Sequence, residues 1–135
     1  MADSLEATYP STPDGVGAMR RAVSAFAMRA GMDDAGAGDV RLAVSEAATN
    51  AVMHAYRDGD GDGLRVTAHV VGRDLVVVVT DTGVGLVPRP DSPGLGLGMP
   101  LMASVTSSFQ VVSRGGGTEV HMAFALPGGG SAPLP

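Results

Sequence analysis

Apolar residues recur with two different periods along this 135-residue chain, and the change of period divides it into helices and strands. Val16, Met19, Val23, Phe26 and Ala27 fall three or four apart, the spacing of one helix face. Ser11 or Thr12 offers a capping oxygen ahead of them, Pro13 suits the first turn, and Gly31 marks the end. A second helical run extends from about Asp34 to Tyr56. Gly36 and Gly38 weaken its start, so a firm helix is expected from Asp39. The period then drops to two. Leu64–Val71 alternates, with Leu64, Val66, Ala68 and Val70 facing inward, and Leu75–Thr80 follows as a valine-rich strand. Gly72–Arg73 between them reads as a tight hairpin turn. Met99 to about Ser107 fits a short helix with Pro100 in its first turn. Phe109–Ser113 and Thr118–Leu126, joined by Arg114–Gly117, form another hairpin.

Residues 1–9 read as a tail or a short strand near Leu5–Tyr9, residues 10–126 as one domain, and residues 127–135 as a disordered Gly/Pro-rich tail. Strands mixed with about three helices predict an α/β (α+β) two-layer sandwich. Its mixed, mainly antiparallel sheet is expected to be covered on one face by the helices. No internal repeat is visible.

Composition narrows the partners. Apolar residues make up 44% and aromatic residues only 4%, so the core must be aliphatic. Cysteine is absent, which excludes disulfides and thiolate metal sites. The net charge is −5 and all basic residues are arginine. Direct nucleic-acid binding is not expected without a basic stripe. The lack of lysine also rules out a P-loop and the strand lysine of eukaryote-type protein kinases. No stretch approaches the length of a membrane span, and MADSLEATYP lacks the pattern of a signal peptide. A cytoplasmic protein is the expectation.

Four places could carry chemistry. On the second helix, Glu46 and Asn50 are four apart and share a face amid apolar neighbours, so they need a partner or a wet cleft. The alternative is an ordinary solvated seam; His54, one turn on, is read as structural. The valine strand runs into Asp81, with Gly83 and Gly85 following, as at a strand end that opens into a loop. Gly94-Leu95-Gly96-Leu97-Gly98 precedes the short helix, where glycine amides and a helix N-terminus can hold a phosphate. This is not the dinucleotide fingerprint, because Met99 stands where the third glycine belongs. Thr118 opens the last strand. The Asp/Gly run Asp58–Gly63 imitates half a calcium loop, but His69 occupies the twelfth position where a glutamate is needed. The three histidines show no zinc spacing.

In order, SEAATNAVMHAY, TDTGVGL, GLGLGMPLM and GGTEVHMAFALP resemble the N-box, two glycine boxes and closing strand of the histidine-kinase-like ATPase superfamily, the Bergerat fold. The nearest match within it is the single-domain anti-sigma-factor serine/threonine kinases, and it spans about Pro10 to Leu126. The resemblance implies ATP and Mg²⁺. Asp81 would accept a hydrogen bond from the adenine amino group, where guanine presents a repelled carbonyl. Gly83 and Gly85 would make room for base and ribose, and Thr118 would support Asp81. Asn50 would ligate Mg²⁺ and Glu46 would act as general base. Gly94, Gly96, Leu97 and Gly98 would give backbone amides to the phosphates.

Two departures stand out. Ser92-Pro93 occupy the place where some relatives carry a basic residue near the γ-phosphate, leaving Arg89 as the nearest candidate, and the lid Leu86–Pro93 is short. The implied function is an ATP-binding anti-sigma regulator that binds a sigma factor and phosphorylates Ser/Thr of its antagonist protein in a partner-switching system. The alternatives are a non-catalytic ATP-gated binding module and the catalytic domain of a histidine kinase. The last ranks lowest, because the termini read as those of a free-standing protein. Family members commonly form homodimers, although no surface stripe of this sequence argues for one by itself.

Overall fold

The structure, a computed structural model, describes residues 4–58, 63–81, 103–114 and 117–127. Strand β1 (Ser4–Tyr9) is followed by helices α1 (Pro13–Arg29) and α2 (Asp34–Asp58), then strands β2 (Leu64–Val71), β3 (Asp74–Asp81), β4 (Ser108–Arg114) and β5 (Gly117–Ala125). Residues 103–105 are helical, within the short helix expected there. The five strands form one sheet in the order β1-β2-β3-β5-β4. Every pairing among them is antiparallel. The expected short strand near Leu5–Tyr9 is therefore a sheet edge, tied to β2 by an Arg65–Glu6 ion pair.

Local chemistry sets the ends of the helices. Thr12 is the cap of α1, its Oγ1 accepting from the Gly15 amide at 3.1 Å. Gly31, just past the helix, takes φ +111°, a conformation that only glycine adopts at little cost. Helix α2 starts at Asp34, earlier than the firm start expected at Asp39. The reason is a cap the glycines obscured: Asp33 Oδ1 accepts from the Gly36 amide at 2.8 Å. A Cβ at Gly36 would lie 2.5 Å from the Met32 sulfur, so a larger residue there would displace the Met32 side chain.

The core lies between one face of the sheet and the two helices. Helix α1 packs on α2 and over β1 and β2, while α2 packs over β3 and β5. The stripe read from α1 is all buried: Val16, Met19, Val23, Phe26 and Ala27. Leu64, Val66 and Ala68 of β2 meet Leu75, Val77 and Val79 of β3 and Val120, Met122 and Phe124 of β5. Val70 departs from its expected inward place and is 37% exposed. It sits beside the Gly72–Arg73 turn at the tip of the β2–β3 hairpin, where helix cover ends. That turn has φ +61° at Gly72 and no positive φ at Arg73, as a type II′ hairpin requires. The expected tail beyond Pro127 and the Asp/Gly residues 59–62 lie outside the described residues, as do residues 99–102 of the short helix.

Candidate functional site

Strand β3 alternates strictly. Leu75, Val77, Val79 and Asp81 are buried and the residues between them are half-buried. Asp81 thus continues the core-facing row of its strand by one step, at 3% exposure. Its cross-strand neighbour on β5 is Thr118, at 1% exposure, which likewise continues the row Phe124, Met122, Val120. Directly opposite residues of an antiparallel pair point to the same face, about 5 Å apart at Cβ. The carboxylate and the hydroxyl are therefore side by side on the helix-covered face.

Asn50 repeats the pattern on the helix. Ala43, Ala47 and Asn50 form one buried row of α2 beside Val40, Val44, Ala48 and Ala51. Glu46 flanks that row and is half-buried. Two observations bring this end of α2 to Asp81 and Thr118. First, a cleft at the other end of the sheet is lined by Met32, Gly36 and Asp39 together with Phe124 and Ala125, so α2 begins beside the end of β5. From Gly36 to Asn50 the helix advances about 21 Å, and from Phe124 back to Thr118 the strand covers about 20 Å. Second, the chain leaving α2 at Asp58 re-enters the sheet at Leu64, the β2 partner of Asp81. Asn50 and the Asp81–Thr118 pair accordingly occupy the same end of the layer.

Strand β3 ends at Asp81, and residues 103–107 return to the opposite end, where Ser107 donates from its amide to Ala123. Gly83, Gly85, Gly94, Gly96, Leu97 and Gly98, with Arg89 and the lid Leu86–Pro93, fall outside the described residues, as does the side chain of His54. Among the described residues no group of three or more His, Cys, Asp or Glu could hold a metal ion. The single amide oxygen of Asn50 suits a hard cation that keeps its other ligands from water and phosphate, the usual habit of Mg²⁺. A buried carboxylate beside a hydroxyl suits a ligand edge that carries N–H groups.

A family model described as histidine kinase-like ATPase domain matches residues 9–124. The chain belongs to this ATPase family. Over 131 residues it is 32% identical to an anti-sigma F factor of Pasteuria penetrans, with 87% of each chain covered. It is also 38% identical over 82 residues to the serine-protein kinase RsbW of Bacillus subtilis. That match takes in 61% of this chain and about half of the kinase, 51%. Among solved structures, the RsbU and RsbW domains of a Mycobacterium tuberculosis protein superpose with a TM-score of 0.73 at 22% identity. Here 92% of this chain and 32% of that one are covered, and the likeness shows the fold. The two-layer ATPase architecture expected from the motifs is thereby established.

Three polar residues, Asp81, Thr118 and Asn50, thus interrupt three apolar rows at one end of the layer. One residue of that end carried no signal in the sequence beyond its hydrophobicity. Leu64, fully buried, stands opposite Asp81 on the side away from Thr118. Only the register reveals this. None of the helices among the described residues is long and apolar enough to cross a membrane.

Proposed function

We propose that this chain is a cytoplasmic ATP-binding anti-sigma regulator that phosphorylates a serine or threonine of an antagonist protein. The observation that carries the reading is Asp81, a carboxylate buried on the core face of β3 beside Thr118. A buried carboxylate at the end of the core-facing row can accept from the N–H edge of a ligand. The chain's relatives include proteins named as anti-sigma factors and as serine-protein kinases.

In this reading, bound ATP with Mg²⁺ supplies the γ-phosphoryl group and neutralises the charge that builds during its transfer. Asp81 accepts from the exocyclic amine of adenine and repels the guanine carbonyl. Thr118 holds that carboxylate in place. Asn50 presents its amide oxygen to the cation. Glu46, half-buried at the edge of the row, takes up the proton of the acceptor hydroxyl. Gly83 and Gly85 leave room for the nucleoside, and Gly94, Gly96, Leu97 and Gly98 present backbone amides. The sigma factor and its antagonist are the protein partners.

The test uses γ-labelled ATP and the proteins recovered with the tagged chain from its native cell. Wild type transfers label to a small copurifying protein, and Glu46→Gln binds ATP with unchanged affinity but transfers none. If wild type binds ATP yet labels nothing it copurifies with, the protein is an ATP-gated binder and not a kinase.

A further inference from the structure

The carboxylate of Asp81 has two cross-strand neighbours, and they differ in kind. Toward β5 stands the hydroxyl of Thr118; toward β2 stands Leu64, at 0% exposure. We propose that Leu64 is a positioning residue for base selection: its hydrocarbon walls the β2 flank of Asp81 and sharpens the preference for an adenine amine over a guanine carbonyl. The inference rests on the proposed reading of Asp81 as the residue that meets the base.

Leu64 opens β2, and the backbone before it is specialised. Gly63 takes φ +140°, where side chains are rarely found, and a Cβ there would come within 3.3 Å of the Tyr9 carbonyl oxygen. The strand enters after Gly63 in the register in which its first residue, and not its second, lies opposite Asp81. A slip of one residue would put Arg65 there. Arg65 instead faces the other side of the sheet and pairs with Glu6. The register therefore places hydrocarbon where a guanidinium would otherwise neutralise the carboxylate.

The physical consequence concerns discrimination. A carboxylate with hydrocarbon on one flank gains more from a correctly placed N–H and loses more against a carbonyl oxygen than the same carboxylate with one donor more on that flank. A hydroxyl at position 64 would add a donor to the carboxylate from the β2 side. It would compete with the adenine amine and would soften the repulsion of guanine. Substrate discrimination of this kind falls as further donors of the protein share the buried polar group that reads the ligand.

The test compares the affinities of ATP and GTP, each with Mg²⁺, by calorimetry on wild type, Leu64→Val and Leu64→Thr. Valine and threonine have nearly the same shape, so their difference isolates the hydroxyl. The ATP-to-GTP affinity ratio of Leu64→Thr is expected to fall about tenfold or more below that of Leu64→Val. Leu64→Val itself, which opens room for one methylene, should lower the ratio about threefold from wild type. A purely structural role for Leu64 would lower the melting temperature of both variants and leave the ratio untouched. Wild type that prefers ATP, with an unchanged ratio in Leu64→Thr, overturns the inference and leaves the reading of Asp81 standing. If Leu64→Thr does not fold, an unchanged ratio in Leu64→Val overturns it. Wild type that binds both nucleotides equally removes the reading of Asp81 and the inference together.

Discussion

The two ends of the covered sheet face are built on the same rows and do opposite things. At one end Leu75, Met122 and Phe124 bury hydrocarbon against α1 and α2. At the other the same rows finish in Asp81, Thr118 and Asn50, all buried. Strand period, register and helix direction are shared, so the fold itself does not make the site. What changes is the chemistry of the last residue in each row, and with it the requirement for an external partner. The apolar end is complete when the chain folds. In the proposed reading the polar end is completed by a ligand.

Substitutions at the two ends should therefore separate stability from binding. Phe124→Ala should cost the most, about 3–5 kcal/mol of unfolding free energy, through the cavity it leaves. Urea denaturation checks it, and the folded fraction should still bind ATP. Asn50→Ala should weaken Mg²⁺-dependent ATP binding by about 100-fold, roughly 2.7 kcal/mol. Its effect on the melting temperature should be small by comparison, and an unchanged metal dependence would remove Asn50 from the site. Thr118→Val keeps shape and deletes the hydroxyl beside Asp81. It should reduce ATP affinity about tenfold, close to the net worth of one hydrogen bond to a charged group. The smallest effect belongs to neither end. Arg41 Nη1 donates to Ser24 Oγ at 2.9 Å and links α2 to α1. Arg41→Ala should lower stability by about 1 kcal/mol, with ATP affinity unmoved. If Arg41→Ala weakened ATP binding as much as Thr118→Val, the two-ended division would fail.

Much of this was legible from residue spacing, for reasons that can be located. The α1 stripe and the alternation of β2 and β3 are periodic signals, and periodicity survives without knowledge of tertiary contacts. The cap of α2 was not legible, because Gly36 and Gly38 argue against a helix while Asp33, which overrides them, lies outside the periodic run. Val70 matched the alternation and still ended up exposed, since phase along a strand does not say how far the helices reach. At the site, Glu46 and Asn50 stood out because polar residues among apolar neighbours on a helix are costly, Asp81 because it ends a valine run ahead of glycines, and Thr118 only through the resemblance of the ordered motifs. Leu64 did not, because nothing distinguishes one strand leucine from another until the register sets it opposite a carboxylate.

The most direct test of the account is the pair of measurements on Asp81→Asn: calorimetric titration with ATP and Mg²⁺, and urea denaturation without nucleotide. The account predicts an ATP affinity about 100-fold below wild type. It also predicts that the variant still unfolds in one cooperative transition in urea, so that the lost affinity reports binding and not loss of the fold. Wild-type ATP affinity in a folded Asp81→Asn protein would contradict it.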